Sequence, residues 1–285
     1  MQSVELDIEN QIAPRGSSHY YSLMHVTHEQ RTAICAVRAF AEQIGQIIFS
    51  CSDLSVAMQK FAWWQGEFQQ MLSSTPSHPV TKSLLVIINQ FQIPLALFQE
   101  YIDGIGHDLS QEFYETSDDL MHFYHHTAGA IERIIAYILG YSDQHTLIAV
   151  NYFGISKQII RNIRDFRKIV IHNHCYISSC DLEQFHLSLS QLQQLTMTDE
   201  IRQLINLQAQ NAKKYYNLAL EQLPSIDRYK QCVALISSAL SLQLLDQLLS
   251  PHTDVFKEYV RLTPLRKFIV AWKVHRKEKK LHNKS

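Results

Sequence analysis

Residues His28 to Ser50 read HEQRTAICAVRAFAEQIGQIIFS, and Ile34, Val37, Ala41, Ile44 and Ile48 recur there at three- and four-residue spacing. That period places the apolar side chains on one stripe of a long helix. Working outward, it predicts a second helix that opens at Asp53, runs through Phe61, Trp64 and Phe68, and breaks at Ser73-Ser74-Thr75-Pro76. Further helices are predicted over 80–91, 94–109, 117–139, 145–169, 178–195, 198–220, 226–249 and 252–280. Pro94, Pro224 and Pro251 fall at starts or junctions, where a missing amide costs little. Thr116 or Ser117 reads as an N-cap and Gly140 as a C-cap. No alternating strand pattern, fixed-period repeat or long linker interrupts the series. The expectation is one all-α domain over 1–285, a large antiparallel helical bundle around a central cavity. Residues 1–17 read as a flexible lead, and 265–285 as a basic amphipathic helix or tail.

The chain's 285 residues are 46% hydrophobic and 10% aromatic, with only 8 Gly and 7 Pro, which excludes disordered, collagen-like and low-complexity classes. The 27 acidic and 26 basic side chains leave a net charge of −1, so no nucleic-acid partner is expected. Five unpatterned cysteines, Cys35, Cys51, Cys175, Cys180 and Cys232, suit a reduced, cytoplasmic protein. The acidic start, with Glu5, Asp7 and Glu9, does not read as a secretory signal. Polar residues interrupt every apolar run short of the ~20 needed to span a bilayer, so the protein is expected to be soluble or peripheral.

Several segments resemble squalene/phytoene synthases. Ser18-His19-Tyr20-Tyr21, Arg31-Thr32-Ala33-Ile34 and Ala36-Val37-Arg38-Ala39-Phe40 look like that family's opening, and Trp63-Trp64 with Glu67 and His78-Pro79-Val80 resembles its tryptophan helix and following turn. Phe91-Gln92-Ile93-Pro94, Ile102-Asp103-Gly104, Asp108-Leu109, Tyr124, Ala128-Gly129 and Leu139-Gly140 follow in order. Gly154, Gln158, Arg164-Asp165 and Tyr176 resemble the second metal helix and the turn after it, and Thr263-Pro264-Leu265-Arg266-Lys267 the closing helix. The resemblance covers about Ser18 to Lys273. It implies the all-α isoprenoid-synthase fold.

It also implies a chemistry, the head-to-head joining of two prenyl diphosphates with Mg²⁺ held by carboxylates on two facing helices. A hard cation wants oxygen ligands in octahedral array. Alignment on Ala39-Phe40 puts Gly45, Gln46 and Phe49 where the first helix of the family carries aspartates. On the second, Asp165 remains as a remnant, Ile169 takes its partner's position and Arg161 replaces the usual asparagine. Metal ligands are therefore not expected, nor any cofactor. In this respect the chain resembles the branch of the family that assists assembly of mitochondrial complex I.

The resulting expectation is a family member that has lost Mg²⁺-dependent condensation and acts as a binding or assembly-type protein. Candidate ligand-binding residues are Tyr21, Arg38, Glu42, Gln158, Arg161, Arg164 and Asp165. The candidate ligand is an isoprenoid or another lipid phosphate, and a protein partner is a further candidate. Arg38/Glu42 and Arg161/Asp165 share i, i+4 spacing, which predicts pairing across the cavity between the two helices; metal-free capture of a phosphate by the arginines is the rival use. One alternative is a divergent active prenyltransferase that uses Asp165, Asp108 and Glu42 with Mg²⁺. Another is an interaction protein whose cavity is filled.

Other features carry plainer readings. Asp53 is read as an N-cap, Asp118-Asp119 as helix-start acids, and Asp108 with Glu112 as a solvated pair or, for Asp108, a retained family residue. Phe61, Trp63, Trp64 and Phe68 are assigned to the core. His122, His125 and His126, with His172 and His174, offer zinc-type ligands, but scattered surface histidines are the commoner case. From Arg266 to Lys284 there are eight Lys or Arg and one acid, Glu278, among Phe268, Ile269, Trp272 and Val274. That pattern suits an anionic membrane surface, or else a docked helix with a solvated basic end.

Overall fold

The computed structural model describes residues 2–51, 53–111 and 113–283, so Glu112 and Lys284 lie outside the described residues. Helix α1 (Gln2–Ile12) and the short α2 (Ser18–Ser22) lead into α3 (His28–Gly45), which is followed by α4 (Ile47–Ser50), α5 (Leu54–Leu72), α6 (Pro79–Phe91) and α7 (Leu95–Ser110). Then come α8 (Ser117–Tyr124), a π-helical turn (His125–Gly129), α9 (Ala130–Leu139), α10 (His145–Arg164) and α11 (Phe166–Ile171). The chain continues with α12 (Ser179–Gln184), α13 (Leu189–Leu192), α14 (Asp199–Gln222), α15 (Cys232–Leu248) and α16 (Pro264–His282). No strand occurs among the described residues, and no described helix is long and apolar enough to cross a membrane.

Local chemistry explains the helix starts. Thr27 and Gln30 form a reciprocal capping box at α3, as do Thr116 and Asp119 at α8. The Asp53 carboxylate accepts from the Ser55 amide at 2.7 Å and opens α5. At α6, buried Glu67 reaches over from α5 and accepts from the amides of Ser77 (2.8 Å) and His78 (2.7 Å) and from the hydroxyls of Ser77 and Thr81. One carboxylate thus satisfies the amides preceding α6 and ties that helix to the tryptophan helix.

The bundle is organised around α10, which packs on α9, the π turn, α14 and α15, while α3 packs on α1, α6, α7 and α9. Two glycines permit the tightest approaches. A Cβ on Gly104 of α7 would lie 2.8 Å from Thr127 Cγ2 and 3.3 Å from His126 Cβ, and one on Gly154 of α10 would lie 2.6 Å from the Ala128 carbonyl oxygen. Both backbones therefore pass directly against the π turn.

Several expected elements come out differently. The N-terminal stretch read as flexible contains α1, which packs on α3 with Ile8 and Ile12 buried and Glu9 paired to Arg31. The long helix from His28 divides at Gln46, and α10 ends at Asp165, whose amide still bonds to the Arg161 carbonyl before the axis changes into α11. Residues 252–263 are not helical; Phe256 is buried against Phe166 at 5.5 Å, and its carbonyl accepts from Arg167 at 2.8 Å. Burial of one aromatic side chain there outweighs the helical period. Phe61, Trp64 and Phe68 are core, whereas Trp63 is 51% exposed and packs edge-on to Trp64 and His78.

Candidate functional site

Helix α9 is nearly all apolar, and its single acid, Glu132, is buried. An isolated buried carboxylate would be costly, and this one is met by two cations. Lys157 of α10 places Nζ 2.7 Å from Oε2, and Arg38 of α3 places Nη2 3.5 Å from Oε1. Lys157 also donates to the Ser237 hydroxyl of α15 at 3.2 Å. Burial alone would raise the Glu132 carboxyl, yet Lys157 and Arg38 hold it below its ordinary value. The Lys157 ammonium is pushed down to about 8, first by desolvation and then by Arg38 and Arg161, against the pull of Glu132.

Around this ion triad the surplus charge is positive. Arg161, one turn beyond Lys157, is exposed to solvent and has no acid within 4 Å among the described residues. The Arg38 Nε and Nη2 atoms are buried without a hydrogen-bond partner. His19 of α2 faces the group: desolvation first, then Arg38, Arg161, Lys157 and Arg164, bring its pKa well below the ordinary histidine value. Burial and the fields of four cations from α3 and α10 thus disfavour protonation of this imidazole.

The candidate residues predicted from sequence divide between this cluster and other surroundings. Arg38, Arg161, Arg164 and Asp165 belong to the cluster, and Glu42 lies exposed one turn along α3 from Arg38. The predicted pairing across the cavity does not form. Asp165 is held by its neighbour Arg164 through two bonds of 2.8 and 2.9 Å, and Arg38 turns to Glu132. Adjacent residues at a helix end need no long side chain to span a gap, so the local pair prevails. Gln158 donates to Asn162 at 2.9 Å, and Asn162 donates to the Tyr124 hydroxyl at 2.7 Å. Tyr21 packs edge-on to Phe268 of α16 among Cys232, Ile236 and Leu240. Asp108 is buried and accepts from the Tyr114 and Tyr176 hydroxyls at 2.7 and 2.8 Å, which makes it a tether between loops.

The four positions aligned with metal ligands have separate surroundings. Gly45 lies under the Tyr101 hydroxyl, which bonds to the Ala41 carbonyl at 2.6 Å. Gln46 accepts from Lys168 Nζ at 3.2 Å, and the same ammonium stands 4.6 Å over the Phe49 ring. His172 and His174 flank Phe49 edge-on. Ile169 lines a small hollow of about 20 Å³ with Tyr124, Asn162 and Phe166, room for about one water.

Sequence reasoning missed Lys157, Glu132 and His19. The i, i+4 spacing of Lys157 and Arg161, and a lone acid in the apolar AIERIIAYIL stretch, were available signals. At the far end of the chain, α16 buries Ala271 and Glu278, and Glu278 is held by Arg228 through bonds of 2.9 and 3.0 Å. Leu265, Phe268, Ile269 and Trp272 remain exposed beside Lys273 and Arg276.

An all-α bundle with a polar cluster set between two long inner helices defines a protein of the isoprenoid-synthase type. A dehydrosqualene synthase crystal structure superposes with a TM-score of 0.80 over 98% of both chains at 18% identity. YisP from Bacillus subtilis does so at 0.69, covering 95% of this chain and 96% of that one, also at 18% identity. Among sequences, phytoene synthase of Arthrospira platensis is 22% identical over 86% of this chain and 81% of its own length, and that of Mycobacterium tuberculosis 25% over 88% and 84%. The squalene/phytoene synthase family profile matches residues 12–266, and the chain belongs to that family.

Proposed function

We propose that this protein binds a phosphate- or diphosphate-headed isoprenoid between α3 and α10 without Mg²⁺, and serves in a binding or assembly-type role rather than in condensation. The observation that carries this reading is the grouping of Arg38, Lys157, Arg161 and Arg164 around His19, with Arg38 Nε buried and unpartnered and its Nη2 met only by the 3.5 Å contact to Glu132. Guanidinium forks suit phosphate oxygens in bidentate geometry, and the lowered Lys157 gains most from an arriving anion.

The donor set does not fit Mg²⁺. Glu132 and Asp165 are each paired to resident cations, the Asp108 oxygens serve two tyrosines, and the Gln46 amide oxygen takes Lys168. Gly45, Phe49 and Ile169 offer no ligand atom. The exposed Leu265, Phe268, Ile269 and Trp272 beside basic residues support docking of α16 on an anionic membrane surface, where such a ligand would be met.

The test is titration of the protein with farnesyl or geranylgeranyl diphosphate in EDTA, paired with a diphosphate-release assay in Mg²⁺. Binding that weakens in Arg161→Glu, with no release, is the expected result. Release at enzyme-like rates would establish the divergent prenyltransferase instead, and absence of binding in both media would favour the interaction protein.

A further inference from the structure

The π turn that receives Gly104 and Gly154 also sets three ligand-type side chains together away from the cationic cluster. Glu100 lies one turn before Gly104 on α7, and His125 and His126 are successive residues of the turn. One ligand atom from each lies within 4.8 Å of the other two. We propose that Glu100, His125 and His126 form a binding site for a divalent transition-metal ion of the Zn²⁺ class.

Each part of the geometry has a physical cause. In a regular α-helix adjacent side chains diverge by about 100°, whereas an i→i+5 turn narrows that angle and lets His125 and His126 address one point. The close pass of α7 at Gly104, whose Cβ would touch Thr127 and His126, brings the carboxylate to the same point. Glu100 Oε1 lies 3.6 Å from His125 Nε2. Ligand atoms about 2 Å from a tetrahedral ion are a little over 3 Å apart, so a small closure of the trio suffices.

The surroundings act as an outer shell. Arg133 of α9 ion-pairs with Glu100 through Oε1 alone, at 2.5 Å, and donates to the His125 and Gly129 carbonyls at 3.1 and 3.4 Å; the π turn is fixed, and unlike Asp165, both of whose oxygens are taken, Glu100 keeps Oε2 for an ion. His122 stacks on His126 with ring centroids 4.6 Å apart and restricts its orientation. His126 also borders an open groove lined by Asp103, His107 and His122, so an ion can reach this imidazole from solvent. Two imidazoles and one carboxylate suit a borderline ion rather than Mg²⁺. His172 and His174 take no part, since they sit beside Phe49.

The test uses the full, untagged chain, stripped with EDTA and titrated with Co²⁺ near neutral pH. The expected result is one Co²⁺ per chain with the visible absorption of a low-symmetry site, displaced by Zn²⁺, and a higher thermal midpoint with Zn²⁺. His126→Asn and His125→Asn remove the spectrum, Glu100→Gln weakens binding about tenfold or more, and His252→Asn changes nothing. Circular dichroism establishes that each variant is folded; should either histidine variant unfold, Glu100→Gln and the Zn²⁺-dependent midpoint of the unaltered protein decide. An unchanged Co²⁺ spectrum in His126→Asn, or no spectrum and no midpoint shift in the unaltered protein, overturns the proposal.

Discussion

Lys157 Nζ lies 2.7 Å from Glu132 Oε2, inside the bundle and beside a second cation, Arg38. The pair joins α9 to α10, and Arg38 brings in α3 at the same carboxylate. A single acid therefore pairs with cations from both sides of the candidate site, and the triad keeps one positive charge in excess.

Removal of that carboxylate leaves two largely buried cations facing each other. Glu132→Ala is expected to cost about 3–5 kcal/mol, the scale for breaking one partner out of a buried ion pair. Urea unfolding measures it; a loss below about 1 kcal/mol would show that water or rearrangement replaces the acid.

Lys157 titrates at about 8 because desolvation, Arg38 and Arg161 outweigh Glu132. A free lysine titrates near 10.4, so the unfolded chain holds this proton more tightly, and the group's share of stability rises between about pH 8 and 10. Lysine-selective acylation followed by mass spectrometry should find Lys157 labelled at lower pH than surface lysines. A diphosphate-bearing ligand should raise its apparent pKa and protect it.

Asp108 is raised to about 6, by burial first, with the Tyr114 and Tyr176 hydrogen bonds acting against the shift. The folded state then binds the proton more tightly than the unfolded chain, so this group's contribution falls as pH rises from about 4 to 6. Asp108→Asn should remove that slope from a stability-against-pH profile while keeping the fold. A profile identical to that of the unaltered protein would contradict the shift.

Glu67 behaves oppositely. Burial would raise it, but the Ser77 and Thr81 hydroxyls and the His78 and Ser77 amides together bring it down to about 2. Its contribution is full above the unfolded value near 4.3 and is lost as pH falls through about 2. Glu67→Gln is expected to lose on the order of 2–3 kcal/mol at neutral pH, read by chemical denaturation, and to show a smaller acid-induced decline.

Two glycine substitutions should differ in sign. A Cβ at Gly154 meets the Ala128 carbonyl oxygen at 2.6 Å, a backbone atom that cannot swing away, whereas one at Gly66 meets nothing within 4 Å. Gly154→Ala is expected to destabilise by about 1–3 kcal/mol and Gly66→Ala to stabilise by up to about 1 kcal/mol. Thermal melts of the two variants provide the check.

Much of the fold was legible in the sequence because helical period is a local property. The stripe of Ile34, Val37, Ala41 and Ile44, the cap at Thr116 and the prolines marked helices without knowledge of their neighbours. Breaks at Gln46 and Asp165 were not legible, since apolar spacing continues across them. The N-terminal helix was missed because Ile8 and Ile12 are buried by α3, a partner that no local rule supplies.

For the site, sequence alone determined which charges exist and which share a helix face: Arg38 with Glu42, and Lys157 with Arg161. It also determined that Gly45, Phe49 and Ile169 bring no carboxylate to the positions where the family resemblance places metal ligands. Only the tertiary structure decided the partners, with Arg38 joined to Glu132, Asp165 to Arg164, Lys168 to Gln46, and His19 rather than Tyr21 facing the cations. The reason is one of range. Backbone hydrogen bonds fix the angle between residues four apart, but which side chains meet across a bundle depends on how closely helices pack, as where Gly104 and Gly154 let α7 and α10 pass against the π turn.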